Sequence, residues 1–69
     1  MDVRIRVGLN LQALRRMRGL SQEELADRAG VHQTYLSGVE RGRRNPSLVV
    51  LARLAGALDV PLGDLVRDR

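Results

Sequence analysis

The sequence is most informative between Gly19 and Gly42, where it reads GLSQEELADRAGVHQTYLSGVERG. Gly19, Gly30 and Gly42 are spaced so that each could close one short helix before the next begins, because glycine readily adopts the left-handed conformation found at helix ends. The spacing predicts a helix over about residues 22–29, a tight turn, and a helix over about residues 33–41.

Two local signals predict where helices start. Ser21 followed by Glu24 is a capping box, in which the hydroxyl accepts a backbone hydrogen bond and the carboxylate reaches back to the cap. Asn45-Pro46 places a capping amide before a proline preset for a first helical turn, which predicts that a later helix begins at Pro46.

Apolar residues at helical spacing predict three further helices, over about residues 4–18, 46–57 and 62–67. The alternation of Val3, Ile5 and Val7 is too short to indicate a strand. In the fourth helix we expect an apolar set that is buried on more than one side, made up of Leu48, Leu51, Leu54 and Leu58 with Val50 and Ala55 beside it. The expected fold class is all-α.

Length and composition limit the architecture. With 69 residues the chain forms one domain, residues 1–69, near the lower limit for folding alone. It has no cysteine, which excludes disulfides, thiolate metal sites and a nucleophilic thiol. Tyr35 is the single aromatic residue, so Leu, Val and Ala must supply the core of a compact helical bundle.

The charge balance favours a polyanionic partner. All 12 basic residues are Arg, against 8 acids, for a net charge of +4. The excess lies in the N-terminal helix and around residues 41–44, as expected of a nucleic-acid-binding surface. No apolar stretch approaches the roughly 18 residues of a membrane span, so we expect a cytoplasmic protein with no membrane partner.

Helices joined by three or four residues containing glycine are typical of a helix-turn-helix. The sequence closely resembles the Cro/repressor-type, or Xre-type, helix-turn-helix family over residues 7 to 66. Within that family it is most similar to the controller proteins of restriction–modification operons. The resemblance rests on Gly19–Ala26, Ala29-Gly30-Val31, Tyr35-Leu36, Val39–Gly42 and Asn45–Leu48, with His32–Gly42 carrying the similarity to controller proteins.

The resemblance implies a compact five-helix, lambda-repressor-like DNA-binding domain whose helices 2 and 3 form the helix-turn-helix. It implies a homodimer that binds a near-palindromic DNA operator and regulates transcription. It implies no cofactor and no small-molecule ligand, so that regulation would come from protein concentration, dimerisation and operator spacing. The alternative is an antitoxin or other protein-interaction module built on the same fold, for which an added tail would be the discriminating feature.

The start of helix 3 is the candidate base-reading face. Gln33 can pair bidentately with adenine, and the Thr34 methyl can touch the thymine methyl. Ser37 lies one turn further on the same face. Gly38 takes an exposed position that in the family often carries a side chain in contact with a base. Here glycine either allows the backbone to approach closely or makes no base contact.

Seven residues are candidate phosphate contacts. Gln22 matches the family position that holds a phosphate at the start of helix 2, where a helix N-terminus favours an anion. His32 replaces the usual hydroxyl cap of helix 3 and could contact phosphate or base. Tyr35 either reaches the phosphate or groove wall or packs beside helix 2, and Arg43-Arg44 could be only a solubilising cluster. The remaining candidates are Arg18 and Arg41.

Other residues have structural interpretations. Arg15 and Glu40 match family positions that pair with each other across helices 1 and 3. At least one of Leu62, Leu65 and Val66 is expected in a two-fold dimer interface, the alternative being that they complete the core. Asp59 and Pro61 depart from the family pattern. Asp59 stands where Gly commonly closes helix 4, and Pro61 replaces the usual hydroxyl cap at the start of helix 5.

An enzyme is not expected. His32 is the only histidine, whereas a zinc site needs three or four ligands, so no metal site is expected. A hydrolytic serine would need a base and an oxyanion pocket, and we expect no cleft for them in a helical chain of this length. A Gly-rich loop that could bind a phosphate is also missing from the sequence.

Overall fold

The computed structural model describes all 69 residues and consists of five α-helices without strands. The expected all-α fold is confirmed. The helices are α1 Val3–Met17, α2 Gln22–Ala29, α3 Gln33–Glu40, α4 Leu48–Leu58 and α5 Gly63–Val66. None is long and apolar enough to cross a membrane.

The helix ends follow the local signals for the most part. Both halves of the Ser21–Glu24 capping box are present at the start of α2. Gly19, Gly30 and Gly42 all have positive φ, between 68° and 75°, so each turn uses the conformation that glycine alone adopts without strain.

The start of α4 differs from the expectation. The cap is Ser47, whose Oγ accepts from the Val50 amide at 3.1 Å, and the helix begins at Leu48. The prediction that Asn45 caps a helix starting at Pro46 is therefore wrong. Asn and Ser are both good N-caps, and the structure uses the second one, which leaves Asn45-Pro46 in the preceding loop.

The core consists of aliphatic side chains from all five helices. Helix α2 packs against α3 and α4, and α1 packs against α3 and α5. The large side chains that are fully buried in this core are Leu11, Leu25, Leu36, Val39, Leu54, Leu58 and Leu65.

Leu48 lies elsewhere than expected, and burial decides between the two alternatives for Leu65. Leu48 was expected among the buried residues of α4, but it is 69% exposed, because the first turn of α4 extends past the packed part of the helix that starts at Leu51. Leu65 is fully buried, so it completes the core and cannot also form a dimer interface.

A close crossing with α1 holds α3 in place. A Cβ added at Gly8 would lie only 2.5 Å from the Glu40 carbonyl oxygen and 2.7 Å from that of Val39. Glycine at this position thus lets the C-terminal end of α3 rest directly on α1. Gln12 Nε2 donates to the same Glu40 carbonyl at 2.7 Å, which adds a polar contact at the crossing.

Candidate nucleic-acid interface

Helices α2 and α3 form a helix-turn-helix. Gly30 closes α2 with φ 71°, and its N–H donates to the carbonyls of Ala26 and Asp27. The Val31 N–H donates to Ala26 O at 3.0 Å, which turns the chain back on itself within three residues. His32 precedes α3 without a side-chain cap bond, so the first-turn amides of α3 receive no help from its imidazole.

The candidate base-reading residues lie together on the outer surface. Gln33 and Thr34 are exposed, and Ser37 is half-buried one turn later. With Gln22 and Arg41 they line a surface depression that has no hydrophobic residue in its wall. We call these five residues the α3 polar face. The tertiary fold therefore brings the start of α2 beside the polar side of α3.

Ser37 and Arg41 are linked within this face. Arg41 Nη2 donates to Ser37 Oγ at 3.0 Å, and its Nε is 3.4 Å from the Ser37 carbonyl oxygen. The Ser37 hydroxyl keeps its own hydrogen for donation to an acceptor. The contact also holds the Arg41 guanidinium against the helix.

A buried network fixes the start of α2 relative to α3. Glu40, whose side chain is 2% exposed, accepts from Arg15 Nε at 2.7 Å and from Arg15 Nη2 at 3.1 Å. Gln22 Nε2 donates to the same carboxylate at 3.0 Å. The expected Arg15–Glu40 pair is thus in contact, with Gln22 as a third member that the sequence analysis did not anticipate.

This network changes what Gln22 can offer to DNA. One amide hydrogen is bound to Glu40, which leaves the side-chain oxygen, the second amide hydrogen and the backbone N–H. The first amides of a helix have no intrahelical acceptor and carry partial positive charge. The start of α2 therefore presents the backbone N–H groups of Gln22 and Glu23 beside the α3 polar face.

The acidic residues of α2 line a different depression, which shares only Gln33 with the α3 polar face. Glu23, Glu24 and Asp27 line a second depression together with the turn and the start of α3. Hydrogen bonds with Ser21 lower the pKa of Glu24, which keeps its carboxylate charged. These acids disfavour phosphate, so the charge pattern orients an anionic ligand toward the Gln22 and Arg41 side.

Three candidate arginines follow α3. Arg41, Arg43 and Arg44 are exposed, and none is in a salt bridge, since the three ion pairs of the chain involve Arg4, Arg6 and Arg15. Arg18 lies elsewhere, at the end of α1, and donates to the Asp59 carbonyl at 3.2 Å. The positive charge available to a phosphate is thus concentrated in the loop after α3.

Gly38 does not take the exposed position expected of it. It is buried, because the Arg44 side chain lies across it. Tyr35 is half-buried against the core, and the Arg44 guanidinium carbon lies 5.7 Å from the centre of its ring. Nothing in the sequence pattern indicated this contact, because five residues, including Gly42 at the turn, lie between Gly38 and Arg44.

The structure shows an apolar groove away from the α3 polar face. Its lining includes Val3 and Val7 of α1, Pro46, Leu51 of α4 and Val66 of α5. No group of three or more His, Cys, Asp or Glu side chains is arranged to hold a metal ion.

Comparison with known proteins agrees with this geometry. A family model described as helix-turn-helix matches residues 11–65. The uncharacterized HTH-type transcriptional regulator y4dJ of Sinorhizobium fredii is 53% identical over 66 residues, covering 96% of this chain and 86% of the relative. Control protein C.MunI of Mycoplasma sp is 40% identical, covering 97% of this chain and 92% of that protein.

A solved structure gives the same result. The restriction-modification controller protein C.AhdI from Aeromonas hydrophila superimposes with a TM-score of 0.88 at 47% sequence identity, covering 90% of this chain and 94% of that protein. The resemblance to controller proteins is therefore confirmed in sequence and in structure. The chain belongs to the helix-turn-helix family of DNA-binding transcriptional regulators.

Proposed function

We propose that the protein is a sequence-specific regulator that binds a near-palindromic operator as a homodimer, with α3 of each subunit in a major groove. The observation that carries this proposal is the α3 polar face, which gathers Gln33, Thr34 and Ser37 beside Gln22 and Arg41. In a helix-turn-helix the first residues of the second helix reach the base edges. The polar set lies at that position.

The proposed base contacts are made by Gln33, Thr34 and Ser37. Gln33 pairs with adenine, and the Thr34 methyl touches a thymine methyl. Each good base contact supplies about 1–3 kcal/mol of discrimination against a wrong base. Gly38 has no side chain and is covered by Arg44, so we assign it no base contact.

The proposed phosphate contacts come from the backbone amides at the start of α2 and from Arg41, Arg43 and Arg44. These arginines need not break a salt bridge before they bind DNA. Arg18, His32 and Tyr35 remain weaker candidates. The Arg18 guanidinium donates to the Asp59 carbonyl, His32 lines the acidic depression, and Tyr35 is half-buried. A dimer that neutralises roughly six to ten phosphates loses about 10³–10⁵ in affinity between 50 and 200 mM salt.

The proposed dimer interface lies on the exposed apolar residues at the starts of α1 and α4 and the end of α5. Val3 is 53%, Leu48 69%, Val49 63% and Val66 37% exposed. Val3 and Val66 line the apolar groove, and a two-fold partner would cover the four residues with the same residues of its own. Leu62 is half-buried against the core and adds less.

The relatives named as control proteins support a regulatory role. Its dependence on protein concentration through dimerisation is our proposal. We propose no enzymatic activity, since the relatives are regulators. A protein that binds operators in a bacterium or phage-infected cell acts in the cytoplasm, where the DNA is.

The proposal is tested by selection of bound duplexes from a random DNA pool at about 150 mM salt, where non-specific binding is suppressed. The expected result is a two-fold symmetric site with half-sites about one helical turn apart. A pool that stays random, at concentrations where sedimentation shows a dimer, would refute operator binding and favour the antitoxin or protein-interaction alternative.

Two variants distinguish the proposed base contacts from the proposed phosphate contacts. Gln33→Ala is expected to relax the preference at one base pair in each half-site, whereas Arg43→Ala is expected to weaken binding to all sequences alike and to reduce the salt dependence. Arg16→Ala, an exposed arginine of α1, is the matched charge control. An unchanged selected sequence with Gln33→Ala would show that the base-reading assignment is wrong.

The interface is tested by Leu48→Glu, which places a charge on the proposed dimer surface. Sedimentation is expected to show a monomer whose circular dichroism spectrum is unchanged. Met17→Glu is the control, because Met17 is 80% exposed at the opposite end of α1 from Val3. A Leu48→Glu protein that dimerises as tightly as the parent would refute this interface.

A further inference from the structure

We propose that Gly38 is a positioning residue for DNA binding: its missing side chain forms a notch in α3 across which Arg44 lies, so that the Arg44 guanidinium is held beside Tyr35 and ready for a phosphate. The inference rests on the proposed function and extends it to two residues outside the base-reading set.

The notch is defined by distances. A Cβ added at Gly38 would lie 2.9 Å from Arg44 Cγ, 3.3 Å from Nε and 3.6 Å from Cδ. A real Cβ essentially never approaches another atom closer than 3.0 Å. The aliphatic stem of Arg44 therefore occupies the space that any other residue at position 38 would need.

The backbone delivers Arg44 to this position. The Arg43 N–H donates to the Gly38 carbonyl at 2.9 Å, and Gly42 turns the chain with φ 75°. These two features tie the loop to the end of α3 just before Arg44. The stem then runs back along the helix toward its N-terminal half.

Tyr35 completes the arrangement at the charged end. The guanidinium carbon of Arg44 lies 5.7 Å from the Tyr35 ring centre, within the range of a cation–π contact. Such a contact uses none of the guanidinium N–H donors. Arg44 also has no carboxylate partner, so these donors remain available to an anion.

The arrangement favours binding because the side chain is ordered in advance. A free arginine loses rotamer freedom when it contacts a phosphate, and that loss reduces affinity. An arginine already seated in a notch and in contact with a ring loses less of this freedom. Substitution of Gly38 should therefore act on DNA through Arg44.

A second explanation of Gly38 is that it lets the DNA backbone approach α3 closely. The two explanations differ in a double-mutant cycle of Gly38→Ala and Arg44→Ala. If Gly38 acts by seating Arg44, its substitution matters only while Arg44 is present. If it acts by close approach, its substitution weakens binding in both backgrounds.

The experiment measures the Kd of the four proteins of this cycle on the selected operator across a salt series. Arg44→Ala is expected to weaken binding about tenfold or more, the effect of losing a charge-assisted hydrogen bond. Gly38→Ala is expected to weaken it less, about fivefold, because Arg44 is retained but no longer ordered in advance. Arg44→Ala is expected to lower the salt slope by about two per dimer, one phosphate per subunit. The double variant is expected to match Arg44→Ala alone.

A readout without DNA accompanies this measurement. Tyr35 is the only aromatic residue, so the near-ultraviolet circular dichroism and fluorescence of the protein report on its surroundings alone. Gly38→Ala and Arg44→Ala are expected to change this signal in the same way. Thermal stability should not fall in Gly38→Ala, because alanine favours a helix more than glycine and the exposed Arg44 can move away.

Gly56→Ala is the matched control, because it makes the same substitution within α4 where a Cβ meets nothing within 4 Å. It should leave DNA affinity and the Tyr35 signal unchanged. Independent losses in the double-mutant cycle, or an unchanged Tyr35 signal in both single variants, would overturn the inference. A parent protein that selects no duplex would instead refute operator binding, leaving the Tyr35 signal to decide whether Gly38 seats Arg44.

Discussion

Removal of Arg15 should strongly destabilise the domain, because it leaves the Glu40 carboxylate buried without its cation. The Glu40 side chain is 2% exposed and that of Arg15 is 11% exposed. Arg15 makes two hydrogen bonds to this carboxylate and a third, from Nη1, to the Leu20 carbonyl at 2.9 Å. After Arg15→Ala only Gln22 still donates to the Glu40 side chain.

The expected magnitude follows from this burial. Exposed ion pairs contribute about 0.2–1 kcal/mol, whereas removing one partner of a buried pair costs about 3–5 kcal/mol. The free energy of unfolding of a domain this size is roughly 3–10 kcal/mol in total. Arg15→Ala should therefore lower Tm by more than about 10 °C and leave the protein close to its unfolding limit.

Urea denaturation followed by circular dichroism measures this loss. Arg16→Ala is the control, because the neighbouring arginine is exposed and should change the unfolding free energy by no more than about 0.5 kcal/mol. A double variant, Arg15→Met with Glu40→Leu, should be more stable than Arg15→Ala, because it leaves no unpaired buried charge. A loss below about 1 kcal/mol for Arg15→Ala would refute the reasoning, since Glu40 would then be solvated without Arg15.

Two further predictions concern the ends of the chain. Asn10 is buried, and its Nδ2 donates to the carbonyls of Leu65 and Arg67. Asn10→Ala should lower the free energy of unfolding by about 1–3 kcal/mol and speed amide hydrogen exchange more in α5 than in α2. Equal acceleration in both helices would contradict this local role. Hydrogen bonds from Arg4 lower the pKa of Asp2 from 3.8 to about 2. Because the folded pKa is the lower one, the Asp2 cap stabilises α1 above pH 3.8 and this contribution is lost as the pH falls through about 2. An NMR titration of the Asp2 carboxyl carbon should give a higher pKa in Arg4→Ala, and an unchanged value would show that Arg4 is not the cause.

Much of the fold could be predicted because its signals are local. The capping box, the three left-handed glycines and the helical spacing of leucines act within one or two turns of chain, so the sequence pattern is sufficient to place α2 and α3. The start of α4 was misplaced because two good caps lie two residues apart, and local chemistry allows either. Leu48 was misassigned for a related reason, since periodicity identifies an apolar side of a helix but not how far its neighbours extend along it.

The candidate site was predictable in part. Residue chemistry and family resemblance indicated Gln33, Thr34 and Ser37 as a reading face, and the fold places them together with Gln22. The bond from Gln22 to Glu40 and the position of Arg44 across Gly38 are contacts between separate elements. No spacing rule describes such contacts, because they depend on how the helices pack.

The sequence by itself determined the helical class and the helix-turn-helix, because helix ends and helical spacing follow from residue chemistry over short distances. It also indicated the side chains that could contact DNA, through their chemistry together with the family resemblance. Only the tertiary structure decided which of those side chains are free. It buried Leu65 in the core, exposed Leu48, engaged Gln22 with Glu40 and laid Arg44 over Gly38. The physical reason is that burial and partnership are properties of the packed arrangement, in which residues distant along the chain compete for the same space and the same hydrogen-bond acceptors.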